Sequence, residues 1–313
     1  MNRIFFICFI IIFTSCNKNN DYTGSCESRH LNICVLGNSY SNDSYCYVPF
    51  LLKQYGITCT LHIYYRGSGS LKDLYEQWYD DSPTGYAELD KKEHVRLHFY
   101  IDTRYHSSWI KDDVISANDI LLLEQWDIVS LQQASNLAKD ITSYSPYLYN
   151  IIERIKQICS YDFDLAWFMA YNRATDNNND LNLLTQKLIV DEYPFNLVFP
   201  VSTAIFMAQT TELSNLGDSE FRNLYCADNI HLQEGIPCYI AALTITQAIL
   251  DKYNPECFIY GNNLVPTQQW ILSINAITPN GNSVGVNDKN MALAQSIAML
   301  ANSNKFSLMR LEY

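Results

Sequence analysis

Apolar runs that alternate with helical stretches predict an α/β fold, a parallel sheet with helices on both faces. Three observations carry this reading. Short apolar runs closed by turn residues recur along the chain, beginning with Ile33-Cys34-Val35-Leu36 before Gly37-Asn38-Ser39. Each is followed by a segment with helical apolar spacing. The 313 residues, 48% hydrophobic, are ample for one large core.

Taken in order, strand one ends at Gly37, and 45–55 reads as a helix with Pro49 near its start. Ser39 therefore lies past a strand's C-terminal end in the turn to a helix, the edge where α/β sheets bind ligands. A serine there has an exposed hydroxyl and helix N–H groups nearby to stabilise negative charge. The plainer alternative is that Ser39 merely caps. Thr58 to Tyr64 reads as strand two and Leu71 to Tyr79 as a helix, separated by Tyr65-Arg66-Gly67-Ser68-Gly69-Ser70. Those glycines do not make a phosphate loop, because its lysine is missing.

Residues 80–125 break the repeat and read as an insertion. Within it Val95, Leu97, Phe99 and Ile101 share one strand face. His94 and His98 mimic a metal pair, but on a strand they lie about 13 Å apart, too far to share an ion. Trp78, Tyr100, Tyr105, Trp109 and Trp126 are either a sugar-stacking platform or core. Asp127 to Leu131, Asp164 to Ala170 and Asn196 to Val201 read as strands three to five. Helices follow over Ser143–Cys159, Leu181–Tyr193 and Ser202–Thr210, and Gln233 to Tyr253 closes the repeat. Beyond it, Asp288 to Ser303 has helical spacing, and 260–285 suits strands of a small appendage.

Net charge is −12, and −13 without residues 1–15, whose one charged side chain is Arg3. That balance argues against nucleic acid as a partner. Ile4 to Phe13 is apolar, too short to span a bilayer and suited to a signal segment. Phe13-Thr14-Ser15-Cys16 resembles a bacterial lipobox, with Cys16 as the lipidated mature N-terminus; a soluble secreted protein cut near Ser15 is the alternative. Residues 1–16 are then the signal and 17–30 a polar tether, which places the chain in the cell envelope, lipid-anchored to the membrane. Of ten cysteines, eight remain beyond Cys8 and Cys16, a number that permits disulfides in an exported chain; no zinc framework is present.

Far downstream, Cys226-Ala227-Asp228-Asn229-Ile230-His231-Leu232 precedes an apolar helical run. A serine nucleophile needs an imidazole base, and the imidazole needs a carboxylate to fix its tautomer. Asp228 and His231, three residues apart, can supply both from one loop. The alternative is a helix-capping aspartate beside a surface histidine.

Together, an early G-x-S and a late D-x-x-H resemble the SGNH (GDSL-like) hydrolase superfamily. The blocks LGNSYSND at 36–43, YYRGSGSL at 64–71, WDIVSLQQAS at 126–135, LVFPVSTAI at 197–205 and DNIHL at 228–232 resemble its DUF4886 branch of Bacteroides-type lipoproteins. The resemblance implies a flavodoxin-like α/β/α sandwich over residues 31–253, with 254–313 an extension of unknown role. It implies catalytic Ser39, Asp228 and His231, and an oxyanion hole built from the N–H groups of Ser39 and Gly67, with Gly69 second. The better-known SGNH pattern has an asparagine after strand three. This chain has Gln132-Gln133 instead, and Gln133 is the first choice for the third donor, Gln132 the second. The implied function is a serine esterase that removes O-acetyl or other short acyl groups from carbohydrate, with no metal or organic cofactor. A lipid esterase or thioesterase, and a non-catalytic glycan-binding lipoprotein, are the alternatives.

Overall fold

The computed structural model describes residues 28–79, 96–112, 115–215, 224–226, 228–259 and 285–309. Among them one sheet is formed by β1 (Arg29–Gly37), β2 (Ile57–Arg66), β3 (Arg96–Asp102), β4 (Ile110–Asp112), β5 (Ile128–Gln132), β6 (Asp164–Phe168) and β7 (Leu197–Phe199). Their order is β4-β3-β2-β1-β5-β6-β7. Strands β2, β1, β5, β6 and β7 are parallel, as expected. The expectation of a wholly parallel sheet is corrected at one edge. There β3 runs antiparallel to β2, and β4 antiparallel to β3. The insertion thus covers the edge of β2, which would otherwise leave a row of unpaired backbone groups.

The alternation of β1 sorts the helices into two layers. Leu31, Ile33 and Val35 enter one buried cluster, Cys34 and Leu36 the other. The first cluster takes α1 (Ser39–Tyr45), α2 (Val48–Gln54), α7 (Val201–Gln209), α8 (Ile236–Tyr253) and α9 (Asp288–Ser303). The second takes α3 (Leu71–Tyr79), α4 (Ala117–Leu122), α5 (Tyr147–Ile158) and α6 (Asn179–Glu192). The result is the three-layer α/β/α sandwich that the sequence predicts. The segment after β1 leads to the first layer and the segment after β5 to the second. The neighbouring strands β1 and β5 therefore form a topological switch point, where a crevice opens at the strand C-terminal ends.

Three expectations change in detail. The helix expected over 45–55 is two helices, α1 and α2. Pro49 has no N–H for the Tyr45 carbonyl, and its ring excludes that carbonyl from a continuing helix. As a result Ser39 is already helical. Second, the expected tether gives Arg29 and His30 to β1, where His30 Nδ1 lies 2.9 Å from Thr58 Oγ1. Third, Trp78 and Trp126 are buried, and Trp109 packs on the first cluster and donates to the Cys46 carbonyl. They are core residues rather than sugar-stacking faces, which leaves Tyr105 as the widely exposed ring of the five.

On β3, Leu97, Phe99 and Ile101 do share the face toward the first cluster; Val95 and His94 lie outside the described residues. His98 points the other way, with Nε2 3.0 Å from Nδ1 of buried His62. The seven described cysteines are free thiols, while Cys16 and Cys26 lie outside the described residues. Among the described residues no helix is long and apolar enough to cross a membrane.

The late helix α9 spans the residues that its apolar spacing predicts. Asn287 caps it, accepting from the backbone N–H groups of Lys289 and Asn290, and the Asn290 side chain accepts from the Asn287 N–H in return. Its apolar side, Met291, Ala294, Ile297, Ala298 and Ala301, is buried in the first cluster, and Asn302 Nδ2 donates to the Thr244 carbonyl of α8. Burial of this kind predicts that Ile297→Ala lowers the free energy of unfolding by about 2–5 kcal/mol, the range for a large aliphatic cut back to alanine in a packed core. Denaturant melts of the two chains measure it. A loss under about 0.5 kcal/mol would mean that α9 is not part of the cooperative unit.

Candidate active site

The nucleophile turn is built by one side chain. Asn38 is buried and extended (φ −133°, ψ −159°), the usual N-cap conformation. Its Oδ1 accepts from Tyr40 N at 3.0 Å, and its Nδ2 donates to the Gly69 carbonyl at 2.9 Å. Gln132 Nε2, from the end of β5, donates to the same Oδ1 at 2.5 Å. One amide thus ties the segments after β1, β2 and β5 together. Ser39, the first residue of α1, is 8% exposed and stands at the switch point.

Two of the neighbouring serines are hydrogen-bonded elsewhere. Ser41 is fully buried and donates to Gln132 Oε1 at 2.6 Å, and Ser70 Oγ donates to Asp73 Oδ2 at 2.6 Å. Ser44 is also fully buried, and Ser68 sits at φ 55° in the exposed turn after β2. Gly37 is glycine for a local reason. A Cβ there would lie 2.0 Å from Ser41 Oγ and 3.0 Å from Gln132 Oε1.

The base comes from a hairpin. Tyr225 and Leu232 bridge antiparallel, Cys226 N donates to the His231 carbonyl at 2.7 Å, and Asn229 turns the chain at φ 58°. Inside the turn Asp228 Oδ1 accepts from Ile230 N and His231 N, and Asp228 Oδ2 lies 2.5 Å from His231 Nδ1. Asp228 therefore caps no helix; α8 starts only at Ile236. Burial pushes its carboxyl upward, but the hydrogen bonds from the His231 ring and from the two backbone N–H groups outweigh that and hold it below the usual carboxylate range. An ionised Asp228 requires the hydrogen of the neutral ring on Nδ1. Nε2 is then a bare acceptor, and it is buried without a partner among the described residues.

The two halves touch. The Tyr40 ring stands edge-on to His231 at 6.2 Å between centroids and stacks on Tyr171 at 4.1 Å. Asp43, the last residue of the block LGNSYSND and one to which the sequence reading assigns no role, joins them. Its Oδ2 accepts from Tyr171 Oη at 2.8 Å and from Leu232 N at 3.0 Å. Burial raises the Asp43 carboxyl to about 6, a rise moderated by His231, Tyr171 and Leu232. The folded value lies above the ordinary 3.8. Its contribution to stability is thus fully present below the unfolded value and is lost as pH rises through about 6. The sequence signal for Asp43 is its i, i+4 relation to Ser39, which becomes legible only with a helix that starts at Ser39.

The expected oxyanion donors fall in different places. Gln133 is fully buried. Its Oε1 accepts from Leu71 N and Ala134 N, and its Nε2 donates to the carbonyl and Oγ of Ser143. The amide of the first-choice donor is thus engaged with the backbone beneath α3. Gln132 instead lines a small pocket with Leu36, Gly37, Tyr64, Arg66 and Gly69. The Gly69 N–H closes a turn onto the Arg66 carbonyl at 3.0 Å, which takes it out of the donor set. Gly67 lies in that turn directly after β2. Among the described residues no group of three His, Cys, Asp or Glu side chains is arranged to hold a metal ion.

An α/β/α sandwich with a candidate site at its switch point is thus defined by its own geometry. No protein-family model and no curated protein matches the chain. Solved structures do. A DUF4886 family protein from Bacteroides uniformis aligns over 90% of this chain and 98% of its own, with a TM-score of 0.68 and 19% identity. A putative SGNH hydrolase from Slackia heliotrinireducens aligns over 70% of this chain and 99% of its own, with a TM-score of 0.40 and 16% identity. The chain shares the α/β fold of that DUF4886 family protein, the fold expected from the order of blocks from Leu36 to Leu232.

The turn geometry makes a prediction that does not depend on chemistry. Gly37→Ala drives a methyl into Ser41 Oγ and should destabilise by about 1–3 kcal/mol, the usual cost of overpacking. Ser41→Ala removes the atom that is hit, so the double variant should recover part of the loss relative to the sum of the singles. Strict additivity in urea melts would show that the two positions do not meet.

Proposed function

We propose that the chain is a serine hydrolase of SGNH type, an esterase for short acyl groups, most simply O-acetyl groups on carbohydrate. The observation that carries the reading is His231 Nε2. It is a buried ring nitrogen with no partner, on a histidine whose other nitrogen is held by Asp228, beside the helix that begins with Ser39. Buried polar atoms are rarely left unpaired, and those that are tend to have work to do.

On this reading Ser39 Oγ attacks the ester carbonyl and its proton passes to His231 Nε2. The bond to the alcohol then breaks, with His231 protonating the leaving oxygen. Water repeats the sequence on the acyl-enzyme and releases the acid. Asp228 fixes the ring and stabilises the imidazolium. The Ser39 N–H, at the start of α1, and the Gly67 N–H face the developing oxyanion. A glutamine side chain after β5 would be the third donor; both amides are already engaged, Gln132 with Asn38 and Ser41 and Gln133 with Ser143, so either must exchange a partner to serve. Residues 1–16 add a proposal about place: the chain is held at the cell envelope by acyl groups on Cys16, so Cys16→Ser should release it from the membrane fraction.

A fluorophosphonate probe tests the chemistry. Ser39 should carry the adduct, mapped by peptide mass spectrometry. Ser39→Ala and His231→Ala should each remove nearly all turnover of an acetyl ester, and the double variant should cost little more than either single, since the residues act as a unit. Asp228→Ala should be milder, since a misoriented imidazole still accepts the proton part of the time. An adduct on another serine, or full turnover in Ser39→Ala, would sink the assignment.

A further inference from the structure

We propose that Asp43 is a positioning residue for this reaction. It sets the nucleophile helix against the base-bearing hairpin and places a second negative charge beside the His231 ring. The inference rests on the serine-hydrolase reading and extends it to a residue that the Ser-His-Asp pattern does not include.

Asp43 lies one helical turn after Ser39, so the two side chains leave α1 on the same side. Its Oδ2 receives two hydrogen bonds from two other elements, the Tyr171 hydroxyl just beyond β6 and the backbone N–H of Leu232. Leu232 follows His231 directly, so the bond fixes the hairpin at the residue next to the base. Tyr171 in turn stacks on Tyr40, whose edge meets the imidazole. Contacts therefore run from Ser39 through Tyr40, Tyr171, Asp43 and Leu232 to His231. A nucleophile and a base carried on separate elements need such a tie, because a misplacement of about 1 Å can cost on the order of 100-fold in rate.

The charge follows from the surroundings. Among the described residues the titratable groups around Asp43 are His231 and Asp228 from the hairpin, Tyr171 beyond β6 and Tyr40 of α1, with Tyr65 of β2 and the Cys226 and Cys238 thiols also acting on it or responding to it. Burial pushes the tyrosines and thiols upward, so they stay neutral near neutral pH. Of these groups His231 is the one that can carry a positive charge opposite Asp43, with Asp228 held ionised beside it. An imidazolium between two carboxylates is stabilised by both.

Asp43→Asn separates tie from charge. It keeps an acceptor oxygen for Tyr171 and Leu232 and removes the charge. The acid limb of kcat/KM for an acetyl ester should move to lower pH by half a unit or more. Asp43→Ala removes tie and charge together, and kcat should fall by about 10- to 100-fold with KM within twofold. If Asp43→Asn does not fold, Tyr171→Phe replaces it. That variant keeps the charge and loses one bond of the tie, so kcat should fall severalfold with KM unchanged. If Ser39 takes the fluorophosphonate in the wild-type chain but the acid limb does not move in Asp43→Asn, the positioning proposal is overturned and the hydrolase reading stands. Full kcat in Tyr171→Phe, used in its place, overturns the positioning proposal in the same way. If Ser39 takes no adduct, the hydrolase reading fails and this proposal fails with it.

Discussion

The buried amide of Asn38 is the contact on which the rest of the site depends. A helix of seven residues such as α1 is too short to be stable alone. It begins where it does because Asn38 accepts from Tyr40 N, and Asn38 is itself held by Gln132 and the Gly69 carbonyl. The strand ends fix the amide, the amide fixes the first turn, and the first turn fixes Ser39. Gly37 belongs to the same construction, since the space a side chain would need is filled by the Ser41–Gln132 pair. A buried amide stripped of its partners costs about 1–3 kcal/mol per unmade bond, so this arrangement admits few neighbours.

The hairpin of Asp228 and His231 is organised independently of that turn. Its carboxylate meets three N–H groups from within four residues, and its strands close on each other through Tyr225 and Leu232. Nothing in either local structure sets the distance between Ser39 and His231. That distance comes from tertiary contacts, the Tyr40–Tyr171 stack and the two bonds to Asp43. The division has a physical logic. Local hydrogen bonding orients each reactive side chain, and a few buried contacts between elements bring the two orientations together.

The parts legible in the sequence are those governed by short-range pattern. The five parallel strands, the helix α3 at its own bounds and α9 over Asp288–Ser303 follow from periodicity and turn residues. The Asp228–His231 pairing follows from spacing, since three residues in a turn suffice to join them. What escapes the sequence depends on contacts distant along the chain. The antiparallel β3 is visible as an alternating run, but its partner β2 is not. Gln132 and Gln133 are adjacent and chemically identical. Only the fold shows that one side chain turns toward Asn38 and the other toward Ser143. Trp126 and Trp78 look like exposed aromatics in a polar stretch, yet burial takes them, as it takes most large rings.

Asp43 is the most consequential residue to which no motif assigns a role, and electrostatics explain why it stands apart from Asp228. Both carboxyls lie close to one imidazole, but they move in opposite directions. Asp228 is held low by hydrogen bonds that outweigh its burial, whereas burial carries Asp43 to about 6 against the same kind of help. Two carboxyls whose environments push them apart can hold different tasks in one site, one always charged and the other changing its charge near neutrality. A constant charge suits the group that fixes the tautomer of the His231 ring. A titrating charge suits a group whose two donors, Tyr171 and Leu232, can be satisfied by either protonation state, so that the tie between helix and hairpin survives while the field at the imidazole changes.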